Sequence, residues 1–331
     1  MAQVMIIGGD VPADLVARLE AEHDIGYGTH ADLRSATPHE GIAAAEAMVL
    51  IGQPTIDEAV LQRAPRLKVI ALRAVGYDKV DLDACARRGV VVCNTPDVLS
   101  RAVADLTVGL LLGALRQLRR GVDHASDGWS QGAPKPPLGS DLRGKTVGIV
   151  GFGSIGREVA RTCAAGFGMR IAYTSRSGPS TSADFPGPGW LPFEDLLALS
   201  DVISLHVPLT PETWHLMDEH AFSQMKAGAY LVNTSRGGLV DEPALIAALR
   251  AGHLAGAALD VLANEPPDSD NPLLRMDNVL VTPHIGSATV ETRRAMAHLA
   301  VDNVLRVLTG APPATPVTTS PTLTSLERGP Q

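Results

Sequence analysis

A chain of 331 residues, 45% hydrophobic and 19% charged, is long enough to bury more than one core, so two domains are expected. A formal net charge of -8 argues against nucleic acid as a partner, and the small Arg119-Arg120 pair reads as a solvated helix end. Three cysteines without CxxC spacing argue against a disulfide framework or a structural zinc site, and a start with neither a basic n-region nor a cleavage pattern predicts a cytoplasmic protein.

Taken in chain order, apolar runs compatible with strands occur at Val4–Ile7, Ala47–Ile51, Lys68–Leu72 and Val90–Cys93. Between them, segments such as Ala13–Glu20 and Ile56–Arg63 have helical spacing, which predicts one open α/β domain. At Asn94-Thr95-Pro96-Asp97 a turn signal precedes a helical pattern from Ser100 to Arg120, with Ser100 as its N-cap, and a second domain is expected to start here. Its apolar centre, Val103–Leu115, is short for a bilayer and is flanked by Arg101 and Arg116, so it predicts a buried helix and no membrane partner. Further strands are expected at Thr146–Val150, Arg170–Thr174, Val202–Val207, Ala229–Asn233, Ala257–Val261 and Val279–Thr282, in outline a doubly wound parallel sheet. Gly132–Ser140 and Gly178–Gly189 read as surface loops, and the Pro/Thr/Ser-rich tail after Gly310 is expected to be loosely held.

Gly151-Phe152-Gly153-Ser154-Ile155-Gly156 follows the first strand of the second domain at once and opens a helical pattern. A lone GxGxxG is weak evidence, but this context gives each glycine a task. Gly151 allows the tight turn, Gly153 removes the Cβ that would block a pyrophosphate, and Gly156 lets helix and strand pack closely while the helix N-terminus faces the anion. At the end of the next strand, where an NAD-preferring site carries an acid, the sequence reads Ser175-Arg176-Ser177. With no carboxylate to repel a 2′-phosphate and Arg176 to pair with it, NADP(H) is the expected cofactor, with NAD(H) left open.

Three later strands end in polar residues that packing does not explain: Arg236 after Asn233-Thr234-Ser235, Glu265 after Leu259-Asp260-Val261, and His284 after Thr282-Pro283. All are expected at the carboxyl edge of the sheet, where open α/β folds bind ligands. Arg236 offers a rigid fork for a substrate carboxylate. His284 can give a proton to a keto oxygen and take it back in the oxidative direction, and Glu265, bonded to the other imidazole nitrogen, fixes the ring and favours its charged form. Asp260 suits a bond to the nicotinamide carboxamide, although capping a neighbouring loop is an alternative. His206, His215, His253 and His298 read as structural histidines.

With these residues in hand, the sequence resembles the D-isomer-specific 2-hydroxyacid dehydrogenase family, which includes formate, phosphoglycerate and phosphite dehydrogenases. The resemblance rests on Ala74-Val75-Gly76-Tyr77-Asp78, Asn94-Thr95-Pro96-Asp97-Val98, Gly151–Gly156, Asn233–Gly237, Asp260-Val261 with Glu265-Pro266, and Pro283–Ala288, all in family order. Within the family it is most similar to glyoxylate/hydroxypyruvate reductases. The resemblance implies a Rossmann domain over 100–285 and a smaller flavodoxin-like substrate domain over 1–99 and 286–331. It also implies a small 2-keto or 2-hydroxy acid substrate held by backbone N–H groups of Val75 and Gly76, and a homodimer formed through the cofactor domain. Cofactor contacts are implied for Thr107, Val207, Pro208, Thr234, Ser235, His284 and Gly286. A dinucleotide-sensing binding protein, like the corepressors similar to this family, stands as the alternative function.

Overall fold

The computed structural model describes residues 1–35, 37, 39–135, 137–180 and 185–317. The chain divides into two compact units: Met1–Leu99 with the segment from Thr289 onward, and Ser100–Ala288. Among the described residues no helix is long and apolar enough to cross a membrane, and Cys85, Cys93 and Cys163 are free and buried.

The first unit begins with β1 (Gln3–Ile7), α1 (Ala13–Glu20), β2 (Asp24–Gly28), α2 (Glu40–Ala44), β3 (Ala45–Leu50), α3 (Glu58–Arg63), β4 (Val69–Leu72), α4 (Leu82–Arg87) and β5 (Val91–Cys93). Its strands pair in parallel in the order β2-β1-β3-β4-β5, the flavodoxin-type doubly wound order. Parallel strands are covered on both faces, and β4 and β5 are accordingly buried at every residue. The expected strands are all present, but β2 was not foreseen. Its sequence, Asp-Ile-Gly-Tyr-Gly, has low strand propensity, and its place at the sheet edge supplies pairing on one side only.

The second unit contains α5 (Ser100–Leu115), α6 (Leu118–Asp127), β6 (Thr146–Val150), α7 (Ser154–Phe167), β7 (Arg170–Thr174), β8 (Gly189–Trp190), α8 (Phe193–Leu199), β9 (Val202–Leu205), α9 (Glu219–Gln224), β10 (Ala229–Asn233), α10 (Glu242–Arg250), β11 (Leu254–Leu259) and β12 (Val279–Val281). The sheet order is β12-β11-β10-β9-β6-β7-β8. The chain therefore runs outward from β6 to β8, returns to β9 beside β6, and runs outward again. That reversal leaves a crevice between the carboxyl ends of β6 and β9, the place where such sheets bind ligands.

Three local expectations are corrected here. The helix expected over Ser100–Arg120 ends at Leu115, because Gln117 takes a left-handed conformation with φ 53° that interrupts the hydrogen-bond ladder before α6 begins. Ser100 lies inside α5 as its first residue, with its hydroxyl bonded to Ser154 at 3.1 Å. The short strand β8 lies at the end of a stretch read as loop; its two residues pair with Ala172 and Tyr173, which only the neighbouring strand could dictate.

The chain returns to the first unit as α11 (Val290–Leu308), capped by Thr289, whose hydroxyl accepts from Thr292 N. Ala297, Ala300, Val301 and Val304 of this helix share a core with Val4, Ile6, Val49 and Val69. The tail expected to be loose is pinned as far as Val317, and the rest lies outside the described residues. Buried Asn303 accepts from Ala314 N at 2.8 Å and Thr315 N at 3.1 Å, and donates to Leu299 O and to Thr315 Oγ1. Val317 N then donates to Val92 O at 2.7 Å, fastening the tail beside β5. Replacing Asn303 by Leu leaves two backbone N–H groups without an acceptor. It should lower stability in chemical denaturation by about 2–4 kcal/mol and open the 311–317 segment to proteolysis.

Candidate active site

The glycine turn is built as a cradle. Gly151 has φ 97°, and a Cβ there would press on the His206 carbonyl at the end of β9. A Cβ at Gly156 would collide with the Gly151 carbonyl, so only glycine lets α7 start this close to β6. At Gly153, by contrast, no atom of the described residues beyond its immediate surroundings in the chain lies within 4 Å of the Cβ position. The space over Gly153 is open at the N-terminus of α7, a helix of 14 residues, and fits a pyrophosphate held by free N–H groups. Phe152 anchors the turn by stacking on Tyr173, with ring centroids 3.8 Å apart, and Ile155 packs into the core below.

Gly151 N donates to Thr174 O at 3.0 Å, so the residues after β7 stand beside the cradle. Ser175 Oγ donates to Gly178 O at 2.8 Å and thereby shapes the turn that carries Arg176 and Ser177, both exposed. On the other side of the cradle, Ser235 Oγ donates to Val207 O at 2.6 Å, tying the end of β10 to the residues after β9, where Pro208 is exposed. Thr107 Oγ1 donates to Val103 O at 2.7 Å and lies 2.8 Å from Thr234 Oγ1, so buried α5 and the end of β10 share a hydroxyl pair. His206 Nε2 is 2.8 Å from Ser204 Oγ, and burial pushes its imidazole down to about 4, keeping it neutral. His253 Nε2 is bonded to the Phe222 and Met225 carbonyls. Both are structural, as expected.

Arg236, Glu265 and His284 are brought together by close backbone packing. A Cβ at Gly237 would collide with the Leu262 carbonyl, so that glycine lets the loop after β11 lie against the segment that follows β10. Leu262 N then donates to Glu265 Oε1 at 3.2 Å, and Glu265 Oε2 lies 2.6 Å from His284 Nδ1. Burial on its own would raise the Glu265 carboxyl. The His284 hydrogen bond and charge, the Leu262 N–H and the Arg236 guanidinium outweigh it and hold the group below the usual carboxylate range. The pair is accessible, with side chains 39% and 38% exposed, and His284 Nε2 has no hydrogen-bond partner among the described residues. A cavity of about 470 Å³ in this unit is lined by Glu265 and His284 together with Asp260, Thr282, Arg119 and Leu274, room enough for a small ligand.

His284 has φ 52°, a left-handed conformation that costs a non-glycine residue on the order of 1–3 kcal/mol. Buried Asp260 holds it there. Its Oδ1 accepts from Thr282 Oγ1 at 2.6 Å and Ile285 N at 2.9 Å, and its Oδ2 accepts from Gly286 N at 2.8 Å. The loop-capping alternative for Asp260 is therefore realised, and at most one lone-pair position of the carboxylate remains for a ligand.

In the first unit, Asn94 Nδ2 donates to Val75 O at 2.8 Å and Thr95 N donates to Ala74 O at 2.9 Å, which fixes the Val75-Gly76 turn after β4. Sequence reasoning missed these supporting residues. It also missed Asn233, whose side chain accepts from Ser235 N and donates to Arg236 O, and Glu242, which accepts from Ala263 N and Asn271 Nδ2 and steadies the Glu265 loop. An asparagine at a strand end was the available signal for Asn94 and Asn233; for Glu242 none existed.

Fold and site together define a dinucleotide-dependent α/β oxidoreductase. The family model for the D-isomer specific 2-hydroxyacid dehydrogenase, NAD binding domain, matches residues 108–286. The chain belongs to that family, and it is an NAD(P)-dependent D-2-hydroxyacid dehydrogenase by class. It is 44% identical over 282 residues to a glyoxylate reductase of Thermococcus litoralis, covering 83% of this chain and 84% of that one. It is 38% identical to the glyoxylate/hydroxypyruvate reductase B of Yersinia enterocolitica over 94% of this chain and 95% of that one. The NADPH-dependent glyoxylate/hydroxypyruvate reductase of Sinorhizobium meliloti, solved with NADP and malonate, superposes with a TM-score of 0.85 at 34% identity, covering 96% of this chain and 97% of that one.

The last two glycines of the cradle should separate in a test. Gly153→Ala places its methyl in open space, so the melting temperature without cofactor should stay within about 2 °C while the Kd for NADPH, read by fluorescence titration, rises at least about tenfold. Gly156→Ala should lower the melting temperature itself, by about 4 °C or more.

Proposed function

We propose that this enzyme reduces a small 2-keto acid, glyoxylate, hydroxypyruvate or similar, to the D-2-hydroxy acid, with NADPH preferred over NADH. The observation that carries the reading is the Glu265–His284 contact at 2.6 Å with the second imidazole nitrogen left unpaired, next to the guanidinium of Arg236. The reductases to which the chain is similar act in their names on these substrates, which supports the choice.

Gly151–Gly156, Thr107, Val207, Pro208, Thr234 and Ser235 would hold a nicotinamide dinucleotide, which would supply a hydride for the keto carbon. Arg236 holds the substrate carboxylate in a fork and leans on the keto oxygen, and the family resemblance assigns substrate binding to the N–H groups of Val75 and Gly76 as well. His284 gives the proton on Nε2 to the keto oxygen, so that carbonyl carbon and oxygen each gain one hydrogen and the C=O bond becomes C–OH. Glu265 keeps Nδ1 protonated and stabilises the imidazolium, and Asp260 fixes the loop and can still accept one bond from the carboxamide. Ser175, Arg176 and Ser177 receive the 2′-phosphate. Support for a homodimer through this unit comes from α6, which buries none of its residues within the chain, and from exposed Leu118, Val122, Trp129 and Leu138.

Glu265 is charged throughout the neutral range because its carboxyl is held low, and its effect on His284 disappears only as pH falls through that depressed value. Glu265→Gln, which removes the carboxylate from Nδ1, should lower kcat about tenfold or more at neutral pH while changing the KM for NADPH less than about twofold; an unchanged kcat contradicts the coupling. The cofactor assignment is read from steady-state kinetics with glyoxylate. NADPH should show the lower KM, and Arg176→Gln should raise it about tenfold or more while changing the KM for NADH less than about twofold. A wild-type enzyme that uses NADH at the lower KM overturns it.

A further inference from the structure

The carboxyl edge of the first sheet carries two guanidinium groups without a task in the reading above. Arg73 follows β4 directly, and Arg293 stands in the first turn of α11, which packs on β4. Arg73 Nη1 donates to the Asp10 carbonyl at 3.1 Å, in the loop after β1. Its Nε is buried with no hydrogen-bond partner. The Arg293 side chain has neither a hydrogen bond nor an ion pair among the described residues. The other arginines of α11 are different: Arg294 grips Asp14 through two nitrogens at 2.6 and 3.3 Å, and Arg306 Nε donates to Pro312 O at 2.7 Å.

Both unmatched arginines are half-buried. Burial holds each below the ordinary arginine range, and the charge of Arg293 lowers Arg73 further, which places the two within electrostatic reach of each other. The Asp10 carboxylate favours the charged form of Arg73 through space but forms no ion pair with either. Two partly desolvated like charges, one with a donor sealed from water, are an unfavourable arrangement unless an anion completes it. Guanidinium forks are the group that best matches a carboxylate. The place is also one where a ligand is expected, the loops at the carboxyl edge of an open parallel sheet.

We propose that Arg73 and Arg293 form an anion subsite for a second acidic group of the substrate, so that the preferred substrates are 2-keto acids bearing a further carboxylate. The proposal rests on the reading of Val75-Gly76 as the turn that binds the keto acid, since Arg73 leads directly into it. Glyoxylate and hydroxypyruvate carry one carboxylate and leave the subsite unfilled. A site whose polar groups are left unpaired discriminates strongly against the analogue lacking the matching group.

The test compares 2-oxobutanedioate with 2-oxobutanoate, which differ only in a carboxylate or a methyl at the far carbon, using NADPH. The wild type should favour the diacid in kcat/KM by about tenfold or more, and Arg293→Gln should collapse that ratio toward one. Arg73→Gln should do the same, and if its half-buried position prevents folding, as read by circular dichroism, Arg293→Gln decides alone. A wild-type ratio near one, or a variant that lowers both substrates equally, overturns the proposal. Titration calorimetry of inorganic phosphate into enzyme saturated with NADP+, which fills the glycine cradle and the Arg176 turn, gives a readout free of turnover: the wild type should bind it, and Arg293→Gln should bind it at least about tenfold more weakly. Phosphate binding weakened in Arg293→Gln with the diacid preference intact means a free anion uses the site, which overturns the substrate assignment. A wild type that reduces none of the keto acids, glyoxylate included, defeats the activity reading instead. In that event, phosphate heats that are the same in wild type and Arg293→Gln overturn the anion subsite as well.

Discussion

The buried carboxylate of Asp260 is the fixed point from which the His284 loop hangs. Its bonds to Thr282, Ile285 and Gly286 lie on both sides of His284 and hold that residue at a positive φ which an isolated chain would leave. Hydrogen bonds to a charged acceptor contribute about 1.5–3 kcal/mol each, enough together to offset a strained backbone residue. The imidazole is thereby presented to Glu265 in one orientation, with Nδ1 2.6 Å from its carboxylate.

Around that point, glycines set the distances. Gly156 lets α7 begin against the Gly151 carbonyl, and Gly237 lets the Arg236 segment lie against the Leu262 carbonyl. In both places the absent Cβ allows backbone to meet backbone, which draws a loop into the site that a larger residue would hold off. Gly153 is different, because nothing of the protein fills the space in front of it. Packing therefore explains Gly156 but not Gly153, a distinction that their shared motif hides. The same logic separates the arginines: among the described residues Arg294 has a carboxylate partner, whereas Arg73 and Arg293 do not.

Much of this was open to a reader of the sequence. Buried parallel strands are continuous apolar runs, and β6, β7 and β10 lie where those runs predict them. The glycine turn and the polar residues at the ends of β10, β11 and β12 could be named because a strand that stops at Asn, Asp or Thr-Pro-His has no packing reason to do so. The family itself was legible in six motifs spread from Ala74 to Ala288.

Local pattern determined the strand and helix types, the glycine turn and which polar side chains stand at the strand ends, since each depends on residues close together in the chain. The tertiary structure alone decided what depends on distant neighbours. The edge strand β2 and the two-residue β8 exist through pairing, Gln117 breaks a helix whose hydrophobic period continues across it, and the tail to Val317 is held by Asn303 and Val92. Whether Asp260 serves a ligand or a loop was likewise undecided until its acceptors were surrounded by the Thr282–Gly286 turn. Hydrogen bonds and like-charge contacts between remote residues leave no period in a sequence, so their outcome is written only in the fold.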